Sequence, residues 1–322
     1  MKRFTFPSAA ALALALVGHV AAPAADWPNR NIRMLVGSAA GGGTDAMARA
    51  VGDGLSTLLG QAIVVENRPG VSNTLAADAV AKATDGHTML MGVVTAHAIA
   101  PHLIKLPYDT NRDLVPVAFV GSVPNVLVVN NDLPVGSVQS LIALAKQKPG
   151  SLNYATSGAG STQHIAAEMF QDLTGVKLTH VPYRGSGPAL VDLMGGQVQM
   201  SFDTMPSVIG QVKSGRVKAL AVASPKRSPQ LPNVPTFAEA GLKGMEMSAW
   251  YGIYMPASTP KEVQRRVHDA VNQVLAVPAT QARLAAIGAE VTPMTQAQFV
   301  EFQLAEYKRF GDFIVKKQIR IE

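Results

Sequence analysis

Twice in this chain a short apolar run ends in a glycine turn and passes straight into a helix-like stretch. Ile32–Val36 leads through Ser38-Ala-Ala-Gly-Gly-Gly-Thr-Asp45 into a segment where Met47, Val51, Leu55 and Leu58 recur at helical spacing, and Gly60 supplies the stop. Leu152–Thr156 leads through Ser157-Gly-Ala-Gly-Ser-Thr-Gln-His164 into a helix predicted over Thr162–Leu173. A strand that hands over to a helix has that helix cover one face of its sheet, and the next strand lies parallel through a right-handed crossover. The expected fold class is therefore α/β, with mostly parallel sheets flanked by helices.

The same rhythm surrounds each loop. Around the first, strands are predicted at Ala62–Glu66 and His87–Met91, with a helix at Thr74–Ala83 between them. Around the second, strands fall at Asn125–Val129, Lys177–Val181 and Val198–Asp203, and helices at Ser137–Lys146 and Pro188–Gly195. These make two units of similar plan without obvious sequence repetition. Val117–Val120 and Val217–Val222 flank the second unit and are read as strands passing between domains. Domain 1 is accordingly expected over 25–120 plus 224–322, with helices at Lys261–Leu275 and Gln296–Phe310 packed back on it. Domain 2 is expected as an insertion over 121–223. Two crossings make a hinge about which a cleft can open and close. A length of 322 residues suits two domains at ~150 residues each.

Composition removes several function classes. Hydrophobic residues make up 48% and charged residues 16%, which supplies packed cores and rules out disorder. The net charge is +6, but basic residues are scattered, with Arg265-Arg266 and Lys316-Lys317 the densest groups. Aromatic residues are 6% of the chain, too few for base-stacking platforms, so nucleic acid is not an expected partner. Cysteine is absent, which excludes disulfides, thiolate metal sites and thiol nucleophiles. At the amino end Lys2 and Arg3 precede the apolar stretch Ala9–Val17 and then Ala22-Pro-Ala24. That order is a secretory signal peptide over 1–24, its apolar core well short of the ~20 residues of a membrane span. The mature chain is expected to be soluble and periplasmic, stabilised by its core rather than by cross-links.

The glycine loops carry the chemistry. Glycines let backbone amides converge on a ligand, and the free amides and dipole of a following helix favour an anion. Ser38, Thr44, Ser157, Ser161 and Thr162 add hydroxyl donors. Neither loop has the Gly-Lys-Ser/Thr of a nucleotide-phosphate loop or the spaced glycines of a dinucleotide fold. One such loop per domain, facing a common cleft, would grip a small anion at both ends. Catalytic readings are poor. His87, His97 and His102 fit no metal-ligand spacing, and Ser157 with His164 lacks a nucleophile elbow. Asp45 and Arg49 read as a helix-start carboxylate with its i,i+4 partner. Asp203, at a strand end, reads as a loop cap or as an acceptor for a ligand amine or hydroxyl. Metals and cofactors are not expected.

Further motifs follow in order: Trp27-Pro28, Gly41-Gly-Gly-Thr-Asp45, Arg49, Glu66-Asn-Arg-Pro-Gly70 and Asp85-Gly-His-Thr88. After them come Ser157-Gly-Ala-Gly-Ser161, His164, Val181-Pro-Tyr-Arg-Gly185, Gly195-Gly-Gln197, Pro235-Thr236, Glu239, Gly241 and Trp250. Over essentially the whole mature chain this resembles the Bug family, the periplasmic solute receptors of tripartite tricarboxylate transporters. The resemblance implies a two-domain Venus-flytrap fold of the type II periplasmic-binding kind, here expected as a non-catalytic monomer. It implies a small organic acid or amide as ligand and membrane permease subunits as partners, with a two-component sensor or an exported hydrolase as the alternatives. Carried over, the ligand-binding positions are Ala40, Gly41, Gly42, Gly43 and Thr44; Thr95, Ala96 and His97; Ser157, Gly158, Ala159, Gly160 and Ser161; His164; and Asp203. The chain departs from the family at Val71-Ser-Asn-Thr74, where many members carry paired glycines, and at His87, where tyrosine is usual. Ser72, Asn73 and Thr74 are thus expected to alter one wall of the pocket.

Overall fold

The computed structural model describes residues 27–321; the predicted signal peptide lies outside them. The first sheet is built by β1 (Ile32–Val36), β2 (Ile63–Asn67) and β3 (Thr88–Val93), all parallel, with β1 in the middle. They are joined by α1 (Gly43–Leu59) and α2 (Thr74–Ala81). In α1 the buried face is Met47, Val51, Leu55 and Leu59; Leu58 is 44% exposed, so the four-residue step continues to Leu59. Gly60, at φ +72°, ends the helix in a left-handed conformation that other residues avoid.

Beyond a wide helical turn at Thr95–Ile99, β4 (Leu114–Val129) belongs to both sheets. Leu114–Pro124 pairs antiparallel with β9 (Ser248–Pro256), which is itself antiparallel to β3. Asn125–Val129 pairs antiparallel with β7 (Met200–Thr204), and Val126–Val129 with β8 (Lys218–Val222). β5 (Asn153–Thr156) lies parallel to β7 on one side and to β6 (Thr179–Pro182) on the other. The first sheet therefore runs β2-β1-β3-β9-β4 and the second β6-β5-β7-β4-β8. The plan is the same in both, each with one antiparallel strand in fourth place. Around the second sheet lie α3 (Val138–Gln147), α4 (Thr162–Thr174), α5 (Ser186–Met194) and α6 (Met205–Lys213). α7 (Lys261–Ala276), α8 (Pro278–Ala286) and α9 (Gln296–Lys317) return to the first.

The two strands predicted around Val117–Val120 and Asn125–Val129 are one, because the intervening Gly121–Pro124 keeps its pairing with Tyr251–Ser248. Val217–Val222 is not a passage between sheets: β8 stays on the outer side of β4 in the second. The return passage lies at Met247–Ser248, where Met247 donates to the Ala223 carbonyl and Asn125 donates to that of Met247. Residues 224–247, grouped on sequence with the first unit, pack on the second sheet. Phe237 contacts Phe170 and Phe202, and its amide bonds the Val222 carbonyl. β9, α6 and α8 were not foreseen.

The strand directions decide where ligand loops can lie. β4 runs parallel to β1–β3 in the first sheet and antiparallel to β5–β7 in the second. The carboxyl ends of the two parallel sets therefore point at one another, across the seam that β4 and β9 bridge. In open α/β sheets those ends are where ligands bind.

Candidate functional site

The two glycine loops are copies of one device. In the first, Gly41 is left-handed (φ +79°) and Gly42 precedes α1 at φ −76°, ψ 166°. In the second, Gly160 is left-handed (φ +74°) and Ser161 precedes α4 at φ −74°, ψ 166°. Each left-handed glycine donates its amide to a side chain four residues on: Gly41 to Asp45 Oδ2 at 3.0 Å and Gly160 to His164 Nδ1 at 3.1 Å. A Cβ at either glycine would cost about 1–2 kcal/mol in that conformation, which is why glycine stands there. Among the described residues no acceptor holds the amides of Gly43, Thr44 and Asp45, or of Thr162 and Gln163. Open helix starts of this kind attract anions.

Each loop is braced from its own side. Asp45 also accepts from Arg49 Nε at 3.0 Å and Asn67 Nδ2 at 3.0 Å, and the same Asn67 amide holds the Ser38 carbonyl. Burial alone would raise the Asp45 carboxyl; the bonds from Arg49, Gly41 and Asn67 outweigh it and leave the group below its ordinary range. In the second loop Thr156 Oγ1 accepts from the Gly158 amide and meets His180 Nε2 at 2.7 Å. Ser157 Oγ donates to Gln163 Oε1, and Gln163 Nε2 donates to Asp203 Oδ1 at 2.8 Å. The His164 ring stacks on His180 at 4.3 Å. Burial first, and then the neighbouring His180, lower His164 to about 4, so it stays neutral and its Nδ1 remains an acceptor.

The structure brings both loops to one seam. Ser72 Oγ, just before α2, donates to the Ala159 carbonyl at 2.9 Å. A Cβ at Gly43 would lie 2.9 Å from Tyr251 Oη and 3.2 Å from Thr204 Oγ1, so the start of α1 faces β9 and the end of β7. Ala40 and Gly41 are exposed at the mouth, Gly42 and Gly43 half-buried and Thr44 buried. Ser157, Gly158 and Ala159 are half-buried; Gly160 and Ser161 are buried.

Four expected positions behave differently. Thr95 and Ala96 are buried, and Thr95 Oγ1 accepts from Asn73 Nδ2. The His97 ring is 0% exposed, stacks on Tyr254 at 3.7 Å and bonds Thr110 Oγ1 through Nδ1. It is a core element of the first lobe, which burial holds neutral by lowering it to about 3. Asp203 is 1% exposed, and its Oδ1 already accepts from Gln163, Ser186 and the Thr204 amide. It acts as a strand-end cap that orders the loop-2 network. His87 and His102 lie apart from the loops, beside Trp27 and Tyr307. Sequence reasoning passed over Tyr251, Thr204, Ser186, Gln163 and the contact made by Ser72. All adjoin or lie within motifs and positions quoted above, but their convergence is tertiary.

Two α/β lobes whose glycine loops face each other across a shared seam define a ligand-enclosing binding protein. Residues 47–319 match the family described as the tripartite tricarboxylate transporter family receptor. Protein BugT of Bordetella pertussis (strain Tohama I) is 38% identical over 305 residues, 94% of each chain. Among solved structures, R. palustris Rpa4515 with adipate shares 37% identity at a TM-score of 0.88, covering 92% of this chain and 99% of the other. MatC from Rhodopseudomonas palustris with bound malate shares 33% at a TM-score of 0.84, covering 89% and 100%. The chain belongs to the tripartite tricarboxylate transporter receptor family, and its fold is that of the two-domain periplasmic binding proteins.

Proposed function

We propose that this receptor captures a small carboxylate or a related amide between its two glycine loops, closes on it, and presents the closed form to permease subunits of a tripartite tricarboxylate transporter. It does so in the periplasm as a monomer, after export directed by residues 1–24. The lobes are assigned to 27–124 plus 248–321 and to 125–247, hinged at the β4 and Met247–Ser248 passages. The observation that carries this reading is the opposition of the two carboxyl-end loops across the seam, each ending in helix-start amides without a partner among the described residues. The relatives solved with adipate and malate agree with a guest of two to several oxygens at separated ends. A closed state is favoured because a ligand touching both lobes binds it more tightly than the open state. A binding rather than catalytic role is supported by the hydroxyl of Ser157, which donates to Gln163, while His164 Nδ1 is occupied by Gly160.

The expected dissociation constant is on the order of micromolar, roughly −8 kcal/mol. Calorimetry and thermal melts of the mature protein against mono-, di- and tricarboxylates, acidic amino acids and their amides test it. At least one acid or amide is expected to bind and raise the melting temperature; no stabilisation by any of them would refute the reading.

A further inference from the structure

The turn at Val71–Asn73 places two consecutive non-glycine residues in the left-handed region, Ser72 at φ +50° and Asn73 at φ +66°. L-residues avoid that conformation unless the surroundings hold them there. Asn73 is held by its bond to Thr95 Oγ1 and by the gap above Gly37, where a Cβ would come within 2.6 Å of Asn73 Cβ. The result aims Ser72 Oγ across the seam at the Ala159 carbonyl, 2.9 Å away.

That carbonyl and the Gly160 amide belong to one planar peptide and point to opposite sides of it. The amide end is bound by His164 of the second lobe and the carbonyl end by Ser72 of the first. In the first loop the amide of the matching peptide is held by Asp45. Among the described residues its carbonyl, that of Ala40, has no such partner across the seam.

We propose that Ser72 is a closure-dependent positioning residue: it locks the Ala159–Gly160 peptide when the lobes are shut, and so gives the second loop its binding geometry only in the closed state. With the lobes apart the carbonyl loses this donor, and the peptide beside a left-handed glycine is free to rotate. The inference rests on the reading that the protein closes on a ligand.

Ser72→Ala and Ser72→Gly are compared with the parent for binding of malate and adipate, by calorimetry and stopped flow, and for melting without ligand. Both variants are expected to bind about two- to tenfold more weakly, the loss of one hydrogen bond, and chiefly through faster dissociation. Ser72→Gly is expected to melt at or above the parent, because glycine adopts φ +50° without strain. A purely structural role predicts the reverse: lower melting and unchanged affinity. Parent-like affinity in both variants would overturn the proposal.

A second arm needs no ligand. A Cβ on residue 160 would lie 3.1 Å from Ser72 Oγ, within disulfide reach, and the chain contains no cysteine of its own. Ser72→Cys combined with Gly160→Cys is expected to cross-link on mild oxidation, faster with a bound acid. A folded double variant that never cross-links overturns the contact. Cross-linking of the double variant, in a protein whose parent binds no acid or amide of the panel above, supports the contact and removes the proposed ligand class instead.

Discussion

Replacing Asp45 by alanine removes the acceptor that shapes the first loop. The carboxylate has only 5% of its side chain exposed and holds Gly41, Arg49 and Asn67 at once. The three bonds do not count equally. Arg49 keeps 55% of its side chain in water, and the Gly41 amide is at the surface, so each contributes about 0.5 kcal/mol. The half-buried Asn67 bond contributes about 1 kcal/mol, and the carboxylate at the start of α1 adds about 0.5 kcal/mol through the helix dipole. The expected loss is about 2–3 kcal/mol, or roughly 5 °C in melting temperature for a chain of this size. Urea unfolding at pH 7 reads it. Ligand affinity is expected to fall by about tenfold, because the Gly41 turn is no longer fixed.

The pH dependence supplies a sign. The Asp45 carboxyl is held below its ordinary value of 3.8 despite burial. A carboxyl depressed on folding contributes stability above its unfolded pKa and loses it as the pH falls through the folded one. The gap between parent and variant should therefore be full above pH ~4 and close below it. A loss under about 0.5 kcal/mol, or a gap that widens on acidification, would refute this account of loop 1.

Three other outcomes are expected. Gly43→Ala sets a Cβ 3.2 Å from Thr204 Oγ1 of the second lobe, with Tyr251 Oη of its own lobe at 2.9 Å blocking retreat, and should hold the lobes apart, weakening ligand binding at least about tenfold while melting stays level or rises, since alanine favours the helix; retained affinity in calorimetry would show that this seam does not close on the ligand. His164 is held neutral at about 4 against an ordinary 6.5, so its contribution is complete above pH 6.5 and is lost between there and about 4, as the unfolded chain takes up the proton first. His164→Asn, which keeps an acceptor for Gly160, should flatten that fall by on the order of 2 kcal/mol, and parallel urea profiles from pH 7 to about 4 would contradict it. Gly252→Ala drives a Cβ to 2.3 Å from Phe299 Cζ and 3.0 Å from the Ala118 carbonyl, with an expected loss of about 3 kcal/mol in urea unfolding, part of it recovered by adding Phe299→Leu.

What the sequence made legible was local. A strand, a glycine turn and a helix start are written in adjacent residues, so both loops and nearly every flanking element could be placed. The Asp45–Arg49 pair followed from spacing alone. The failures are tertiary. Ser248–Pro256 carries an aromatic, β-rich run, but its meaning comes from pairing with β3 and β4, far away in the chain. The return passage was misplaced for the same reason: β8 and β4 are apolar alike, and only pairing shows which of them leaves the second sheet. His97 was expected in the cleft on the family resemblance, yet Gly92 and Tyr254 leave room for its ring in the core. Ser72 was read as a wall residue, but its partner lies 87 positions away.

Two aspartates at a site for an anion look like a contradiction that the hydrogen bonding resolves. Asp45 spends its lone pairs on Gly41, Arg49 and Asn67, and Asp203 Oδ1 is filled by Gln163, Ser186 and Thr204. A carboxylate whose acceptors are occupied orders its donors and offers little to a guest. Burial also pushes the Asp203 carboxyl up, toward the neutral form, against the pull of those bonds, which reduces the negative field on the guest. The groups that adjoin the two loops at the seam are hydroxyls, backbone amides and aliphatic side chains: Tyr251, Thr204, Gly43, Ser72 and Leu103. None of these carries a positive charge, and Lys317, which also crosses between the lobes, is paired with Asp172; on the proposed reading, attraction for an anion comes from oriented amides and two helix starts. Such donors are fixed by the backbone and recognise an oxygen wherever it falls within reach, whatever carbon skeleton joins the two ends. On the proposed reading the loops therefore define the class of guest, and the walls between them, where Ser72 and Asn73 stand, are left to choose within it.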